Sequence, residues 1–505
     1  MLSQSLRNNV VANFFGQGWT AFMGLAFIPV YIHFLGVEAW GLVGFMTMMQ
    51  AWLTLLDLGL TPTLGREMAR FGAGVHTAQS IRNLLRSLEV LYVGVAVTVA
   101  CLAWIAAPWV AAHWLSAAKL STDSVARAVG VMGLVLAARM VEQVYRGAIQ
   151  GLQLQVWLNG AQSILSSLRW GGAAGVLALV SSPGIGLFFA WQGGISLLTV
   201  MILARKTYLL LPPGERPGHF ELAALVRIRR FASGIAMTTL LALLLTQVDK
   251  LLLSKLVSLE EFGHYTLAAS VAGALYFLAA PVTAAVSPRL TELVATAEER
   301  NLVSTYHSAS QWLALMLVPS GLFLAGFAQP LLWVWTGNDE LAYRTAPLLT
   351  LLALGTLCNG LLHVPYTTQL AYGWTGLAVR VNVVAVGIII PAILSIVPFL
   401  GAIGAAWIWL FLNIGYLLFA IHLMHRRLLA GEKWNWYRNA VCSPLLIGVI
   451  TTLVLRLLVY LPTDRLLLST RLLGILFIMI VTVALAIPVV RNFILSRVNY
   501  YKRNW

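Results

Sequence analysis

The chain has 505 residues, of which 59% are hydrophobic and 10% are charged. A soluble domain carries about 25% charged residues, so this composition excludes an ordinary soluble enzyme. Lys and Arg number 33 against 18 Asp and Glu, a formal net charge of +15. In a membrane protein, cations report orientation first, so this charge does not indicate a nucleic-acid partner. The scattered Cys101, Cys358 and Cys442 predict neither a disulfide framework nor a zinc site.

Apolar runs recur along the whole chain, and a membrane-spanning helix needs about 20 apolar residues. The sequence therefore predicts an all-α polytopic membrane protein with about fourteen transmembrane helices. The first run is too long for the core of a signal peptide, so no cleaved signal is expected. The predicted spans lie near residues 10–35, 39–60, 87–110, 125–151, 155–180, 184–204, 231–257, 262–288, 309–332, 342–368, 374–397, 399–424, 441–461 and 471–490.

The cations are distributed unevenly between the two sides of the predicted membrane. With the amino terminus placed in the cytoplasm, 21 of the 33 lie on inside segments and six on outside segments. This asymmetry follows the positive-inside rule and predicts that both termini are cytoplasmic. The remaining six, inside the predicted spans, are Arg139, Arg146, Arg169, Lys250, Arg380 and Arg456.

The first twelve spans form two similar sets of six. Residues 36–41 (GVEAWG) connect the first two spans of one set, and residues 258–263 (SLEEFG) connect the first two spans of the other. Because six is even, both sets enter the membrane from the same side, which predicts a parallel repeat. The predicted segments are an amino-terminal lobe of spans 1–6 (1–208), a cytoplasmic linker (209–230), a carboxy-terminal lobe of spans 7–12 (231–425), and two extra spans with a cytoplasmic tail (426–505).

Charges retained inside a membrane are costly and mark functional candidates. The densest group lies on span 4, where the spacing of Arg139, Glu142 and Arg146 places all three on one helical face, so that Glu142 can pair with either arginine. At 1.5 Å per residue, Arg139 lies about 18 Å from the cytoplasmic end of this span. Two interpretations stay open for the group, an ion-pair staple between helices and contact with substrate. For Arg146, snorkelling of the side chain to the cytoplasmic surface is a third.

Five further charged residues interrupt other spans. Arg169 on span 5 is either a cavity ligand or the partner of an acid. Asp249 and Lys250 on span 7 point about 100° apart, so one of them is expected to pair across helices, and Asp249 is a candidate site for ion coupling or pairing. Asp57, near the inner end of span 2, has the same two options or reaches water as a helix-end residue. Arg380 on span 11 lies about 10 Å inside the membrane.

Taken together, these intramembrane residues carry a net positive charge. Arginine suits phosphate because its planar guanidinium donates two parallel hydrogen bonds and stays charged when desolvated. If the groups share one cavity, an anionic, phosphate-bearing substrate is the natural interpretation. The predicted substrate-binding set is Arg139, Arg146, Arg169, Lys250 and Arg380, and the set for ion coupling or pairing is Asp249, Glu142 and Asp57. No metal site and no cofactor is predicted, and coupling to H⁺ or Na⁺ is left open.

Three stretches carry a family resemblance: residues 247–255 (QVDKLLLSK), 259–265 (LEEFGHY) and 145–153 (YRGAIQGLQ). They resemble bacterial O-antigen-type flippases of lipid-linked oligosaccharides, in the polysaccharide transporter family of the multidrug/oligosaccharidyl-lipid/polysaccharide exporter superfamily. The resemblance implies two six-helix lobes in a V shape, two added carboxy-terminal helices, and alternating access of a central cavity.

The same resemblance implies a function. A polyprenyl-pyrophosphate-linked oligosaccharide would move from the cytoplasmic to the outer leaflet of the bacterial inner membrane for surface polysaccharide synthesis. Arg139, Arg146 and Arg169 would neutralise the phosphates, and Asp249 would couple the cycle to protons or sodium. The expected partners are this lipid-linked glycan and the bilayer, with other polysaccharide assembly proteins as a further option. No GxxxxGK[ST] nucleotide loop occurs in the sequence.

The sequence departs from one branch of that superfamily and leaves alternatives open. Flippases for the peptidoglycan precursor carry functional arginine in the first helix, where this chain offers only Asn13, Gln17 and small residues. Another polyprenyl-linked glycan is therefore favoured. Export of drugs or small molecules is the main alternative, followed by a membrane glycan polymerase or ligase and by a scaffold protein. No HExxH, GxSxG or paired-carboxylate motif is present, and an enzyme is not expected.

Overall fold

The computed structural model describes residues 2–214, 216–489 and 491, with the side chains of 1–11, 224, 227–239 and 241–242 outside the description. Some of the cations from which the orientation in the membrane was predicted therefore lie outside the described residues and side chains. The cations concerned are Arg7, Arg227, Arg229, Arg230, Arg497, Lys502 and Arg503. The end of the last predicted span, at residue 490, also lies outside them.

All the named elements of the described chain are helices, and one isolated bridge pairs Ser116 with Ser258. Short π-helical turns occupy Val110–Trp114, Tyr416–Ala420 and Tyr437–Cys442. The helices are α1 Leu2–Ala26, α2 Ile28–Leu53, α3 Leu60–Gly72, α4 Ala78–Trp109, α5 Thr122–Gly151, α6 Gln155–Leu179, α7 Ile185–Leu210, α8 Leu222–Leu256, α9 Leu259–Gly273, α10 Leu275–Ala295, α11 Glu299–Gly326, α12 Ala328–Thr336, α13 Asp339–Leu361, α14 His363–Ala371, α15 Gly376–Gly415, α16 Ile421–Arg427, α17 Lys433–Trp436, α18 Ser443–Leu458 and α19 Arg465–Ala486.

Two glycines mark the turns between predicted spans. Gly36 interrupts α2 with φ 83°, and Gly401 interrupts α15 with φ 62°. A side chain at either position would meet the steric penalty of positive φ, which glycine avoids. Gly36 lies between the predicted spans 10–35 and 39–60, and Gly401 lies within a few residues of the boundary predicted between 374–397 and 399–424.

The structure is that of a multi-pass α-helical membrane protein. Within the described residues, ten helical stretches are long and apolar enough to cross a membrane. One of them, Gly376–Arg427, has 52 residues and would extend about 78 Å, more than twice the roughly 30 Å hydrocarbon core. The break at Gly401 divides it into two spans. The exact number of fourteen stays a prediction.

The internal repeat is visible in the helix boundaries. Helix α4 begins at Ala78 and α11 at Glu299, and α6 begins at Gln155 and α15 at Gly376. The offset along the chain is the same for both pairs of starting points. The same order of helices is therefore used twice along the chain.

The chain divides into two compact units, Met1–Gly263 and His264–Trp505. In the first unit, Leu64 of α3, Leu85 of α4 and Ala148 of α5 are fully buried in one apolar cluster. In the second, Leu317 of α11 and Met479 of α19 share a larger cluster. Helices α18 and α19, in the segment predicted to add two spans, pack against α11.

Candidate functional site: a buried charge cluster in the first unit

Helix α5 carries the predicted stripe of charges and is fixed by its neighbours. It starts at a cap, where the Ser121 side chain accepts the backbone N–H of Ser124 at 3.2 Å. A side-chain oxygen here pairs one of the free N–H groups of the first turn. The helix then packs against α2, α4, α6 and α7. The part of its polar face that carries Arg139 and Glu142 is therefore enclosed by other spans.

Arg139 is buried on this face, with 8% of its surface exposed. Its Nη1 donates to Gln50 Oε1 of α2, and its Nη2 donates to Gln192 Oε1 of α7 at 3.1 Å. Gln192 is fully buried. The guanidinium is thus held by two neutral amides, which satisfy hydrogen bonds without cancelling its charge.

Glu142 forms the ion pair of the cluster, but with a helix that the spacing did not indicate. Its Oε2 lies 3.5 Å from Arg169 Nη2 of α6, and its Oε1 accepts from Gln162 Nε2 at 3.3 Å. Arg169 Nη2 also donates to Thr199 Oγ1 of α7 at 3.4 Å. Of the two interpretations of Arg169, the described contacts favour the partner of an acid. Neither Arg139 nor Arg146 forms an ion pair with Glu142 in the described part of the chain.

The cluster carries one net positive charge, from two arginines and one carboxylate. Several of its buried donors have no protein acceptor: the Nε atoms of Arg139 and Arg169, Gln192 Nε2 and the Ser196 hydroxyl. A buried donor left unpaired costs about 1–3 kcal/mol. The site is therefore rich in donors and poor in acceptors, which is the chemistry that suits an anion.

Arg146 completes the stripe and differs from its neighbours. It lies four residues beyond Glu142, about 6 Å along the helix axis. Its side chain is half-buried, and no hydrogen bond or ion pair joins it to any other described side chain. Among the charged residues of this face, Arg146 is thus the one that combines partial exposure with an uncompensated charge.

The other predicted site residues lie elsewhere. On α8, Lys250 Nζ is 3.7 Å from Asp249 Oδ1 and donates to the carbonyl of Thr246 at 3.0 Å. The adjacent Asp249 and Lys250 therefore contact each other, and the expected pairing of one of them across helices stays a prediction. Arg380 is exposed on α15, in the second unit. The described contacts do not bring Asp249, Lys250 or Arg380 into the cluster around Arg139.

Asp57 lies in the connection between α2 and α3. The predicted span 39–60 ends earlier, because α2 stops at Leu53. Asp57 Oδ1 accepts the Thr61 backbone N–H at 3.2 Å, and it also accepts from the hydroxyls of Thr61 and Tyr92. Gly59 occupies the N-cap position of α3, and Asp57, two residues before it, pairs one free N–H group of the first turn. The contacts of Asp57 are therefore those of a residue that holds a helix start.

The neutral members of the cluster and one buried acid were not among the residues predicted from the sequence. Gln50, Gln192 and Thr199 carry no charge, and a neutral polar residue interrupts an apolar run less clearly than a charged one does. A single amide within the apolar helix α7 was the available signal for Gln192. Glu89, 3% exposed, accepts from the Tyr208 hydroxyl at 2.8 and 2.7 Å and was overlooked at the start of a predicted span. Among the described residues, no group of three or more His, Cys, Asp or Glu could hold a metal ion.

The fold and this cluster define a polytopic α-helical membrane protein with a polar, cationic group among its spans. The chain belongs to the polysaccharide biosynthesis protein family, whose model matches residues 6–294. The resemblance carried by residues 145–153 and 247–255 is confirmed by this match. A second family model, MatE, matches residues 235–394.

Known proteins of similar sequence and fold are membrane transporters and flippases by name. A Shigella flexneri protein named "Putative O-antigen transporter" is 20% identical over 408 residues, which cover 80% of this chain and 94% of that protein. The structure described as "Lipid II flippase MurJ, inward closed conformation" superposes with a TM-score of 0.72 at 13% identity, covering 96% of this chain and 99% of its own. An inward-facing multidrug resistance MATE family transporter of the MOP superfamily gives 0.60 at 14% identity, covering 82% and 96%. These likenesses establish the fold.

Proposed function

We propose that the protein is a flippase, which moves a polyprenyl-pyrophosphate-linked oligosaccharide from the cytoplasmic to the outer leaflet by alternating access. The names of the Shigella flexneri relative and of the flippase with the similar fold support this proposal. The bacterial inner membrane, cytoplasmic termini and a role in surface polysaccharide synthesis are parts of the same proposal. The excess of cations on the predicted inside segments supports the orientation.

The donor-rich cluster on α5, α6 and α7 is the observation that carries the proposal. Two arginines face one carboxylate there, and Arg146 extends the same face of α5 with a charge that no described acid compensates. Pyrophosphate offers many acceptor oxygens and at least two negative charges. We assign Arg146 the direct phosphate contact, while Arg139 and Arg169 supply the positive potential behind it. The pair of Asp249 and Lys250 is our candidate for coupling to an ion gradient.

Substitution of Arg146 tests the assignment. A charge-assisted hydrogen bond is worth about 1.5–3 kcal/mol, so Arg146→Gln should slow translocation by at least about tenfold. The measurement is the leaflet distribution of the lipid-linked intermediate in the native host after depletion of the wild-type protein. Arg127→Gln is the matched control, because Arg127 lies on the same helix, exposed and paired with Asp123. Its translocation should equal that of the wild type.

Two results would contradict the proposal. If depletion leaves the cytoplasmic pool of the lipid-linked intermediate unchanged, the protein is not its flippase. If Arg146→Gln at normal abundance translocates as fast as Arg127→Gln, Arg146 does not contact the phosphates, and the site assignment is wrong.

Export of small molecules is the second candidate, and the match of residues 235–394 to the MatE model favours it. A net positive cluster repels the cationic compounds that many drug exporters carry, so this candidate predicts no loss of glycan transport on depletion. Accumulation of a fluorescent cationic drug in depleted cells would favour it, whereas accumulation of the lipid-linked glycan favours the flippase.

A further inference from the structure

A long groove runs along the second unit, within a single helical hairpin. It lies between the part of α15 before Gly401 and the helical stretch that follows Gly401 to Arg427. Its volume is about 860 Å³, within the roughly 300–1,000 Å³ of typical ligand pockets. Three of its lining residues are charged, and most of the others are aliphatic or aromatic. The groove therefore offers an apolar surface with few polar positions.

The three charged lining residues are all arginines and share one end of the groove. Arg380 lies near the start of α15, and Arg426 and Arg427 end α16. All three are exposed, and no carboxylate lies within ion-pair distance of them among the described residues. The Arg427 guanidinium stacks 4.7 Å above the Trp374 ring, which orients it at the groove mouth.

This end of the groove suits a phosphate headgroup. Three arginines without a nearby acid give a local charge of +3, and their planar forks bind phosphate oxygens bidentately. Basic pockets between membrane helices on the cytoplasmic side are known binding places for anionic lipid headgroups. The predicted orientation places these arginines on that side. Free phosphate would use the same arginines but would leave the apolar groove without an occupant.

The length of the groove distinguishes between classes of lipid. Ile396 lies further along α15 than Arg380 and still lines the groove, about 24 Å away along the helix axis. One leaflet supplies about half of the roughly 30 Å hydrocarbon core, so an acyl chain of ordinary length ends about 15 Å below its headgroup. A polyprenyl chain is long enough to follow the groove over its whole length.

We infer that this groove binds a polyprenyl phosphate lipid, with the phosphate at Arg380, Arg426 and Arg427 and the chain along α15 towards Ile396. The groove is a separate lipid site, outside the cluster around Arg139. The inference rests on the proposed function for the identity of the lipid, since the protein's substrate carries the same kind of chain. It assigns Arg380, predicted as a substrate ligand, to the lipid carrier of that substrate.

Direct binding tests the headgroup end. The full-length protein is placed in phosphatidylcholine nanodiscs and titrated with undecaprenyl phosphate, with native mass spectrometry as the readout. Removal of two charge-assisted contacts in Arg426→Gln/Arg427→Gln should weaken binding by at least about tenfold, and Arg380→Gln should weaken it in the same direction. Arg438→Gln is the control, because Arg438 is exposed and does not line the groove, and its binding should equal that of the wild type.

A second pair of variants tests the chain. Ala392 lines the groove about 18 Å from Arg380 along the helix axis, towards the far end, so Ala392→Trp should block the path of the polyprenyl chain and weaken binding by at least about tenfold. Leu394, 49% exposed and outside the lining, receives the same substitution as the control and should bind normally. Dipalmitoyl phosphatidic acid, whose shorter chains do not reach this depth, should bind equally to Ala392→Trp and to the wild type.

Three outcomes would overturn the inference: undecaprenyl phosphate binding that is insensitive to Ala392→Trp, phosphatidic acid binding as tightly as the polyprenyl lipid, or competition by millimolar inorganic phosphate alone. The first two indicate an ordinary phospholipid site, and the third a simple anion site. Translocation measured separately distinguishes the two proposals. If binding depends on the groove but the protein does not translocate the lipid-linked glycan, the lipid site is supported and the proposed function is contradicted. If all variants bind normally, only the lipid site is contradicted.

Discussion

At the scale of single residues, Glu142 and Arg169 form an ion pair in which both members are largely buried. Their side chains are 6% and 15% exposed, so removal of the carboxylate leaves a buried guanidinium uncompensated. Breaking a buried pair in this way costs about 3–5 kcal/mol. Glu142→Gln should therefore lower the midpoint of thermal unfolding in detergent well below that of the wild type.

The control for this prediction is an exposed pair. Glu340 and Arg344 form an i,i+4 pair in which both side chains are more than half exposed. Exposed pairs are worth about 0–1 kcal/mol, so Glu340→Gln should leave the midpoint almost unchanged. Equal midpoints for Glu142→Gln and Glu340→Gln would show that the buried pair does not stabilise the first unit.

The sequence predicted the charged residues of the cluster but not how they pair. Arg139, Glu142 and Arg169 each interrupt an apolar run, which is a local signal that needs no structure. Their partners depend on which faces of α5, α6 and α7 meet, and spacing along one helix cannot supply that information. The i,i+3 and i,i+4 rule therefore suggested Arg139 and Arg146 as partners of Glu142, and tertiary packing selected Arg169 instead.

At the scale of elements, one hydrogen-bonded contact between a carboxylate and a histidine joins α11 to the connection between α16 and α17. Glu432 accepts from Asn435 Nδ2 at 3.1 Å and lies 2.7 Å from His307 Nε2 of α11. These hydrogen bonds hold the pKa of Glu432 below its ordinary value of 4.5. A carboxyl group whose pKa is lower in the folded state stabilises the fold above the unfolded pKa. That contribution is lost as the pH falls through the folded pKa.

The resulting prediction is a pH-dependent difference between two proteins. Glu432→Gln should lower the unfolding midpoint at pH 7, and the difference from the wild type should shrink as the pH falls below about 4.5. Thermal unfolding followed by intrinsic tryptophan fluorescence gives both midpoints. Glu292→Gln removes an exposed carboxylate from the same unit and controls for general charge effects. A midpoint difference that stays constant from pH 7 to pH 4 would contradict the role of Glu432.

Element boundaries could be predicted where glycine or charge ends an apolar run, as at Gly36 and Gly401. At the junction of α2 and α3, the predicted span 39–60 runs past the observed end of α2 at Leu53. There Leu58 takes φ 49° and Gly59 φ 73°, inside the sequence LTLLDLGL, whose five leucines keep the run apolar on both sides of Asp57. Hydrogen bonds to the Asp57 carboxylate hold this junction. Their donors are Thr61 of α3 and Tyr92 of α4. Such a junction depends on tertiary contacts, which hydropathy does not report.

At the scale of the whole molecule, the repeat brings matching glycines to one crossing of α2 and α9. A Cβ on Gly41 would lie 2.3 Å from the carbonyl oxygen of Leu259, and a Cβ on Gly263 would lie 2.3 Å from that of Val37. The offset along the chain from Gly41 to Gly263 equals that from Val37 to Leu259. The contact is therefore reciprocal between corresponding positions of the two repeats. The backbones approach so closely because neither glycine has a side chain.

The same region of the first unit holds further contacts, some within the first repeat and some between residues of the two repeats. Glu38 accepts the backbone N–H groups of Lys119 and Leu120 at 2.9 and 3.2 Å, and Lys119 pairs with Glu260, the residue that corresponds to Glu38, at 2.8 Å. The Leu259 N–H donates to the Ser116 carbonyl at 2.9 Å. The predicted topology places this end of the spans outside the cytoplasm. An alternating-access cycle would have to open these contacts to release a substrate there.

Gly41→Ala should therefore favour a form of the protein in which these contacts are broken. In a helix, alanine normally stabilises the fold by about 1 kcal/mol relative to glycine, but here its Cβ would collide with a backbone oxygen that cannot move alone.

A disulfide cross-link measures this effect. In a cysteine-free background, Ser116→Cys and Ser258→Cys should form a disulfide, because bridged residues lie about 4.8 Å apart. Gly41→Ala should slow this cross-link severalfold, and Gly263→Ala should do the same. Gly94→Ala, with no atom within 4 Å of its new Cβ, should leave the rate unchanged. Equal cross-linking in all three variants would mean that the close approach of α2 and α9 does not hold these contacts closed.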